Sequence, residues 1–313
     1  MRAARYYAPG DLRVEEVPDP KPGRGDVLVQ VEVALTDGTD LKTFRRGHPL
    51  LLSELPSPFG HEFAGFDVAT GRRVVAANSA PCGACPQCKR SREALCDNLL
   101  PLLNGAYAEL LVVPERIARV NLHPIPRTLP SEIAALVEPL ACALHVLDLV
   151  DVEEQNVAVL GPGSMGMLLC ACLKDAAARS VAVAGGSDER RALATKFGAS
   201  PGDAQGADVV IEATGTPDGW RDAVRAVRRG GTVVLFSGVP GEVSLDARAI
   251  HYGEVTLKGA FHHTPRTVRA ALAFLASGAY PWRDLLTHEV SLDELPVLFA
   301  EPPPGYLKAI VRP

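Results

Sequence analysis

The sequence predicts an α/β protein of two domains, one rich in β-strands and one built on a doubly wound parallel sheet. Length is the first reason, because 313 residues exceed the ~150 residues of an ordinary domain. The second is a change near Ser131, where short strands broken by Gly and Pro give way to helical spacing. The third is the later alternation of apolar β-branched runs with helices, which is typical of a parallel sheet covered on both faces.

The composition is that of a globular protein whose activity resides in sites. Hydrophobic residues make up 47% of the chain and charged residues 22%. The formal net charge of −5 gives no broad attraction to nucleic acid or to anionic lipid. The N-terminus has no apolar run of signal-peptide length, and no segment reaches ~18 uninterrupted apolar residues. We therefore expect a cytoplasmic protein with no nucleic-acid or membrane partner.

The predicted elements divide the chain at one long helix. Strands are predicted in DVLVQVEVAL, RRVVAANS and YAELLVVP, and SEIAALVEPLACALHVLDLV then has helical spacing with Ser131 as a suitable N-cap. After this helix, NVAVL, SVAVA, DVVIEA, GTVVLFSG and VTLKGAF alternate with helical stretches or turns, and the chain ends in LKAIVRP. We predict a β-rich domain of residues 1–145 and 265–313 around an α/β domain of residues 146–264.

Four cysteines predict a metal site. Cys82, Cys85, Cys88 and Cys96 have the spacing C-x2-C-x2-C-x7-C, which lets one loop surround a zinc ion with four thiolates. A shell of four sulfurs leaves no position for substrate, so this zinc would be structural. An iron–sulfur cluster and disulfides are the alternatives. Bacterial ferredoxin motifs, however, place the fourth cysteine four positions after the third, whereas here it comes eight positions later.

A glycine-rich turn predicts a dinucleotide site. It follows the strand NVAVL, opens a helix and consists of Gly161, Pro162, Gly163, Ser164, Met165 and Gly166. In this pattern the first glycine makes the tight turn, the second lets pyrophosphate approach the backbone, and the third lets the helix pack on the strand. The helix N-terminus would donate amides to the phosphates. A turn of this composition that binds no nucleotide is the alternative.

The residues after the second strand of this unit favour NADP over NAD. An acidic residue there would bond the ribose 2′-hydroxyl, whereas small and basic residues admit a 2′-phosphate. The positions after SVAVA are Gly185, Gly186 and Ser187, with Arg190 and Arg191 close behind. Asp188 is the alternative acid, but it falls in the first turn of a helix capped by Ser187, where acidic residues are favoured anyway.

Together these motifs resemble the zinc-containing medium-chain dehydrogenase/reductase superfamily over nearly the whole chain. Asp37-Gly38-Thr39-Asp40 stands where that family has Cys-Gly-Thr/Ser-Asp, Gly60-His61-Glu62 matches its Gly-His-Glu, and Glu138-Pro139-Leu140 matches its Glu-Pro-Leu. The cysteine loop and the nucleotide turn occur in the family's order. The resemblance implies a GroES-like catalytic domain and a Rossmann domain, as in alcohol dehydrogenases of the polyol, glucose and threonine dehydrogenase branch.

The resemblance also implies a catalytic zinc site. Asp37 and His61 inherit the roles of zinc ligands, Glu62 and Glu138 would complete or exchange in the shell, and Thr39 would pass the substrate proton outward. Asp37 replaces the family's cysteine, but a carboxylate oxygen binds zinc at about 2.0–2.2 Å, so ligation remains feasible. The alternative is a degenerate site in which Asp37 is only a turn residue.

One stretch departs from the family's pattern. Between SVAVA and DVVIEA the family has a helix, a strand and a second helix, whereas KFGASPGDAQGA leaves almost no room after the first helix. We therefore expect the third strand and its helix to be deleted. In the strand order 3-2-1-4-5-6 the third strand is an edge, so its loss would shorten the sheet without opening its centre.

The expected function is zinc-dependent hydride transfer between NAD(P), with NADP favoured, and a secondary alcohol, polyol or sugar. The rival enzyme is an NADPH-dependent carbonyl, enone or quinone reductase that lacks the catalytic zinc. A third alternative, from a different class, is a non-catalytic NADP-binding sensor. Metal content separates the first from the other two, because the dehydrogenase would hold both a structural and a catalytic zinc. We also expect a homodimer or homotetramer.

Overall fold

The computed structural model describes residues 1–52 and 54–313, which form two compact units. Unit 1 comprises Met1–Ala141 and Thr264–Pro313, and unit 2 comprises Cys142–His263. The predicted boundaries, at 145/146 and 264/265, lie four residues and one residue from these divisions. In the described residues, no helix is both long enough and apolar enough to cross a membrane.

The strands are mostly short, as the frequent Gly and Pro residues predict. In chain order they are β1 (Arg2–Ala8), β2 (Asp11–Glu16), β3 (Val27–Leu35), β4 (Ser57–Pro58), β5 (Glu62–Asp67), β6 (Arg73–Ala76), β7 (Leu110–Val113), β8 (Leu122–Pro124), β9 (Asn156–Leu160), β10 (Ser180–Ala184), β11 (Ser200–Pro201), β12 (Ala207–Glu212), β13 (Val227–Leu235), β14 (Thr256–Gly259), β15 (Leu286–Ser291) and β16 (Lys308–Arg312).

Several helices begin at a side-chain cap, a local signal that the sequence carries. In chain order the helices are α1 (Gly38–Arg46), α2 (Pro86–Lys89), α3 (Glu115–Asn121), α4 (Ser131–Ala134), α5 (Val137–Val146), α6 (Ser164–Asp175), α7 (Asp188–Ala194), α8 (Pro217–Ala226), α9 (Ala247–Gly253), α10 (Pro265–Ala276) and α11 (Leu295–Ala300). The capping side chains belong to Asp37, Cys85, Ser187, Thr216, Asp246 and Thr264.

Unit 1 contains two sheets and an aromatic core. The larger sheet has the order β15-β16-β3-β5-β6-β8, with β7 also paired to β3, and the smaller has the order β2-β1-β4. All of these pairs are antiparallel except β15 with β16. Tyr6, Phe59, Tyr107 and Phe299 form ring contacts with centroid distances of 5.7–6.1 Å. This packing fixes the chain just before β5, where the Gly60-His61-Glu62 motif lies.

Unit 2 confirms the predicted doubly wound sheet. Its six strands are all parallel and have the order β11-β10-β9-β12-β13-β14, which is the order 3-2-1-4-5-6. The central strand β9 is almost entirely buried, as its apolar run predicts. Because the strand order reverses between β9 and β12, the carboxyl ends of these two strands mark the place where ligands bind in such sheets.

The expected deletion in unit 2 is correct for the helix and wrong for the strand. Ser200 and Pro201 form β11, which pairs with Ala182 and Val183 of β10 as the third strand of the sheet. Residues 202–206 then lead directly into β12 without a helix. Two residues suffice for a parallel edge pair but are too few to give a recognisable strand pattern.

The long helix predicted from Ser131 is divided into α4 and α5, and Ser131 does not cap it. Pro130 occupies the N-cap, and Ser131 is the first helical residue. The Ser131 hydroxyl instead donates to the carboxylate of Glu32 and accepts a hydrogen bond of 2.8 Å from Arg73. A charged partner competes successfully with the helix backbone for this hydroxyl.

Candidate metal centres and cofactor site

The two carboxylate oxygens of Asp37 make different contacts. Oδ1 accepts a hydrogen bond of 2.7 Å from the backbone N–H of Asp40 and thereby caps α1. The Asp40 carboxylate accepts in return from the Asp37 N–H at 3.1 Å, which completes a capping box. Oδ2 of Asp37 faces Nε2 of His61 at 3.9 Å. The turn-residue and metal-ligand interpretations of Asp37 are therefore compatible.

His61 lies directly before β5 and is oriented by a carboxylate behind it. Its Nδ1 is 3.2 Å from Oδ1 of Asp40, while its Nε2 faces Asp37. At this distance the two groups form an ion pair, although neither atom has a hydrogen-bond partner among the described residues. A carboxylate beside one ring nitrogen, with the other nitrogen facing the metal position, is the usual arrangement of metal-binding histidines. Burial alone would lower the pKa of His61, but the carboxylates of Asp40, Asp37 and Glu138 outweigh burial and raise this pKa well above its ordinary value.

The donor atoms of three predicted ligands fit a zinc ion. One donor atom from each of Asp37, His61 and Glu62 lies within 4.8 Å of the others, and all three residues are buried. Two ligand atoms at about 2.1 Å from a tetrahedral zinc lie roughly 3.4 Å apart. The 3.9 Å between Asp37 Oδ2 and His61 Nε2 therefore needs only a small adjustment. Imidazole nitrogen and carboxylate oxygen both suit zinc.

Glu62 is paired with a residue that the sequence analysis missed. Nζ of Lys308 lies 2.6 Å from both carboxylate oxygens of Glu62 and 3.2 Å from the backbone oxygen of Thr36. Burial opposes the charge of Lys308, but the carboxylates of Glu62 and Asp37 outweigh it and raise the pKa of Lys308. A lysine directly before the apolar residues 309–311 of strand β16 was the signal that could have identified it.

Glu138 and Thr39 lie outside this group of three donors. Glu138 is buried near the start of α5 and contributes by charge to the raised pKa of His61. Thr39 is the second residue of α1 and is half-buried. The structure thus brings together Asp37, His61 and Glu62, whereas Glu138 acts on the group electrostatically.

Asp40 and Tyr107 complete the surroundings of His61, and neither has a role that was predicted from the sequence. The Tyr107 hydroxyl donates to Oδ2 of Asp40, and both side chains are buried. Burial raises the pKa of Asp40, and the negative charge of Asp37 adds to this effect. Asp40 belongs to the quoted Asp-Gly-Thr-Asp motif, so its position was visible. Tyr107 lies just before β7, and aromatic residues are so common in and near strands that its type alone predicts no function.

The four cysteines form one cluster in unit 1. One Sγ atom from each of Cys82, Cys85, Cys88 and Cys96 lies within 4.8 Å of the others, and Sγ of Cys85 is 3.9 Å from Sγ of Cys96. All four are free thiols, which disagrees with the disulfide alternative. Sulfurs at about 2.3 Å from a tetrahedral zinc lie roughly 3.8 Å apart, so the cluster fits this metal.

Nitrogen donors around the cysteine cluster favour negative sulfur. Backbone N–H groups donate to Sγ atoms at 3.3–3.5 Å, among them those of Cys82, Cys85, Cys88 and Asp97. The side-chain amide of Asn98 and backbone N–H groups lower the pKa of Cys82 to about 6. Because zinc binds thiolate rather than thiol, these donors favour metal binding at Cys82 and Cys85, whereas burial raises the pKa of Cys88 to about 12.

The glycines of the nucleotide turn occupy the positions that their predicted roles require. Gly161 has φ of +103°, and a Cβ there would lie 3.0 Å from Thr214. A Cβ on Gly166 would lie 2.0 Å from the backbone oxygen of Gly161, so the helix could not pack so closely with any other residue. Gly163 precedes α6 and faces open space. Ser164 and Met165 follow as the first residues of α6.

The end of β10 lies beside this turn. The Gly161 N–H donates to the backbone oxygen of Ala184 at 3.0 Å, and a Cβ on Gly186 would lie 2.4 Å from Pro162. The predicted cofactor residues of both segments are therefore adjacent in unit 2. Ser187 caps α7, as expected, by accepting from the N–H of Arg190 at 3.4 Å.

Arg191 crosses the end of β10. Its guanidinium donates to the backbone oxygens of Gly185 at 3.0 Å and Gly186 at 2.7 Å, and it pairs with the exposed carboxylate of Asp188. Asp188 therefore points to its own helix in this structure, in agreement with its interpretation as a first-turn residue. The guanidinium of Arg191 therefore covers the backbone at the end of β10.

Comparisons with known proteins agree with this architecture. Residues 23–127 match the alcohol dehydrogenase GroES-like domain, and residues 202–277 match the zinc-binding dehydrogenase family. L-threonine 3-dehydrogenase of Xanthomonas campestris pv. campestris is 30% identical over 309 residues, with 90% of each chain covered.

Solved structures extend the similarity to the whole chain. A zinc-binding dehydrogenase from Sinorhizobium meliloti 1021, bound to NADP, has a TM-score of 0.87 and 32% identity, with 100% of this chain and 99% of that chain covered. The 2R,3R-butanediol dehydrogenase of Bacillus subtilis has a TM-score of 0.86 and 26% identity, with 100% and 99% covered. This chain belongs to the zinc-containing medium-chain dehydrogenase/reductase superfamily and is an oxidoreductase of the alcohol dehydrogenase type.

Proposed function

We propose that the protein transfers a hydride reversibly between NADP and a secondary alcohol, polyol or sugar, at a catalytic zinc held by Asp37 and His61. The observation that carries this proposal is the buried approach of Asp37 Oδ2 to His61 Nε2, 3.9 Å apart. The similarity to threonine and butanediol dehydrogenases supports a polar secondary alcohol as substrate. A structural zinc in the four-cysteine loop completes the proposed metal content.

The residues of unit 1 have distinct parts in this reaction. When bound, zinc supplies Lewis acidity at the substrate oxygen and the nicotinamide supplies the hydride acceptor. Asp37 offers the single negative charge that a cysteine thiolate would offer, through a harder oxygen atom. His61 offers Nε2, which faces Asp37, while its Nδ1 faces the carboxylate of Asp40. The hydroxyl of Thr39 would carry the substrate proton outward, and Glu62 or Glu138 would exchange into the metal shell during turnover.

We assign cofactor binding to unit 2 and favour NADP. Gly163 leaves open space before α6, whose first amides would bind the pyrophosphate. Gly185 carries no carboxylate that would repel a 2′-phosphate, and Arg190 and Arg191 could pair with it. The bound NADP in the Sinorhizobium meliloti relative supports the same choice. The expected homodimer or homotetramer stays a prediction, which analytical ultracentrifugation would test.

Metal content and a substrate panel test the proposal together. We expect purified protein to hold two zinc ions per chain and to oxidise at least one of L-threonine, 2R,3R-butanediol and a set of polyols and sugars with NADP. A single zinc combined with NADPH-dependent reduction of enones or quinones would identify the zinc-free reductase instead. A single zinc with NADP binding and no turnover on the panel would identify the sensor.

A further inference from the structure

Tyr107 contacts the carboxylate that orients His61. The Tyr107 hydroxyl donates to Oδ2 of Asp40, and the backbone oxygen of Leu35 lies 3.1 Å from the same hydroxyl. The Asp37 N–H donates to this Oδ2 as well, at 3.1 Å. The other oxygen of Asp40 is the one 3.2 Å from Nδ1 of His61. Asp40 is therefore held on one side by two donors while it faces His61 on the other.

The Tyr107 ring also contacts the backbone that leads to His61. The Tyr107 N–H donates to the backbone oxygen of Phe59 at 3.0 Å. A Cβ on Gly60 would lie 2.7 Å from the Tyr107 ring, and Gly60 has φ of +89°. The glycine of the Gly60-His61-Glu62 motif is thus required by the ring of Tyr107. One side chain fixes both the segment that carries His61 and the carboxylate that orients it.

We infer that Tyr107 is a positioning residue for the metal centre, whose hydroxyl fixes Asp40 so that Asp40 holds His61 with Nε2 directed at Asp37. The inference rests on the proposed catalytic metal. Tyr107 is three contacts from that metal and acts through Asp40 and His61. Partners behind a metal-binding histidine contribute roughly 10–100-fold to metal affinity when they are removed one at a time.

Two tyrosine-to-phenylalanine variants isolate the hydroxyl. Tyr107→Phe keeps the ring against Gly60 and removes the hydroxyl, with its hydrogen bonds to Asp40 and to the backbone oxygen of Leu35. Tyr6→Phe is the matched control, because Tyr6 is also buried and its ring stacks on Phe59 at 5.7 Å. Among the described residues, the Tyr6 hydroxyl has no hydrogen-bond partner. Both variants therefore make the same chemical change in the same aromatic core.

The measurement is the zinc affinity of the second site, determined by competition with a chromogenic chelator after the cysteine site has been filled. We expect Tyr107→Phe to weaken zinc binding by about 10-fold or more and Tyr6→Phe to leave it at the wild-type value. In an Asp40→Asn background, adding Tyr107→Phe should have little further effect, because the two residues act in series.

The possible results separate this inference from the proposed function. If the wild type binds two zinc ions and Tyr107→Phe binds the second as tightly, the inference is wrong and the proposed function stands. Equal weakening by Tyr107→Phe and Tyr6→Phe, or by Tyr107→Phe with and without Asp40→Asn, also overturns the inference. If the wild type binds zinc only at the cysteines, the proposed function fails and the inference fails with it.

Discussion

Lys308 and Glu62 form a fully buried ion pair, with Nζ 2.6 Å from both carboxylate oxygens and neither side chain exposed. Each is the first residue of its strand, β16 and β5, and both strands pair with β3. Thr36, which follows β3, accepts the remaining Lys308 hydrogen bond through its backbone oxygen. All donors of the ammonium group are thereby used, as a buried charge requires. The ammonium group of Lys308 also balances the negative charge of Glu62, which lies beside Asp37.

Removing the lysine should cost much more than removing an exposed partner on the same strand. We expect Lys308→Met to lower the free energy of unfolding by about 3–5 kcal/mol, because Glu62 would be left buried and unpaired. Arg312, at the other end of β16, pairs with Glu289, and both side chains are about half exposed. Arg312→Met should therefore cost less than about 1 kcal/mol. Chemical denaturation of both variants makes the comparison, and equal losses would contradict it.

The sequence predicted local features of the fold and of the site better than distant contacts. The parallel sheet follows from apolar runs and the cap of α7 follows from Ser187, whereas Ser131 does not cap the helix predicted to begin there. Lys308 and its partner Glu62, however, are 246 residues apart, and Tyr107 is 67 residues from Asp40. Periodicity reports which face of an element is apolar, and it does not report which distant polar group that face meets. Asp37 and His61 were identified through resemblance alone.

The four-cysteine loop should depend on its metal for stability. Apart from the cysteines, its apolar cluster consists of Leu99 and Leu102, which is too little to fold a loop. We expect Cys88→Ser to lose one zinc per chain and to lower the melting temperature, while the rate of hydride transfer well below that temperature changes little. Calorimetry, metal analysis and kinetics check these three results. Identical melting of the wild type with and without a chelator would contradict a structural zinc.

Arg191 should contribute to the choice of cofactor. Its guanidinium lies against Gly185 and Gly186 at the end of β10. We expect Arg191→Ala to weaken NADP binding about 10-fold and NAD binding much less, because only NADP carries the 2′-phosphate. Arg225→Ala, which removes an exposed partner of Asp222, is the control and should change neither affinity. Titration of the wild type and of both variants with NADP and with NAD measures these affinities. Tighter binding of NAD than of NADP by the wild type would show that an acidic residue bonds the ribose.

Asp208 should make the stability of unit 2 depend on pH. It accepts from Arg228 and from the backbone N–H of Asn156 at 2.8 Å, and these donors, Arg228 first, lower the pKa of Asp208. A carboxyl whose pKa is lower in the folded state stabilises that state above its unfolded pKa, and this contribution is lost as the pH falls through the folded pKa.

The test for Asp208 compares one variant at two pH values. We expect Asp208→Asn to destabilise the protein by about 1–2 kcal/mol at pH 7, at the lower end for a charged hydrogen bond because Arg228 is nearly half exposed. The difference from wild type should shrink below about pH 4. Asp222→Asn, on an exposed pair, should have little effect at either pH. A difference at pH 3 as large as that at pH 7 would contradict the prediction.

Asp37 is the residue on which the dehydrogenase assignment depends most, and its double role requires a careful choice of variants. Asp37→Ala removes the metal oxygen and also the cap of α1, whose loss costs about 1 kcal/mol. Asp246→Ala removes a cap of the same kind from α9 and serves as the control for that second effect. Asp37→Cys restores the ligand of the family and should keep the metal, with a softer shell that shifts the rate.

If Asp37 binds zinc beside His61, Asp37→Ala should reduce the zinc content from two ions per chain to one, and the remaining ion should be the one at the cysteines. NADP binding should survive, because the cofactor residues lie in unit 2. Activity should be lost, since Lewis acidity contributes several kcal/mol to stabilisation of the transition state. Asp246→Ala should keep both metals and the activity. If the wild type holds one zinc, and Asp37→Ala changes neither metal content nor NADPH-dependent reduction, the catalytic-zinc assignment is wrong and the zinc-free reductase takes its place.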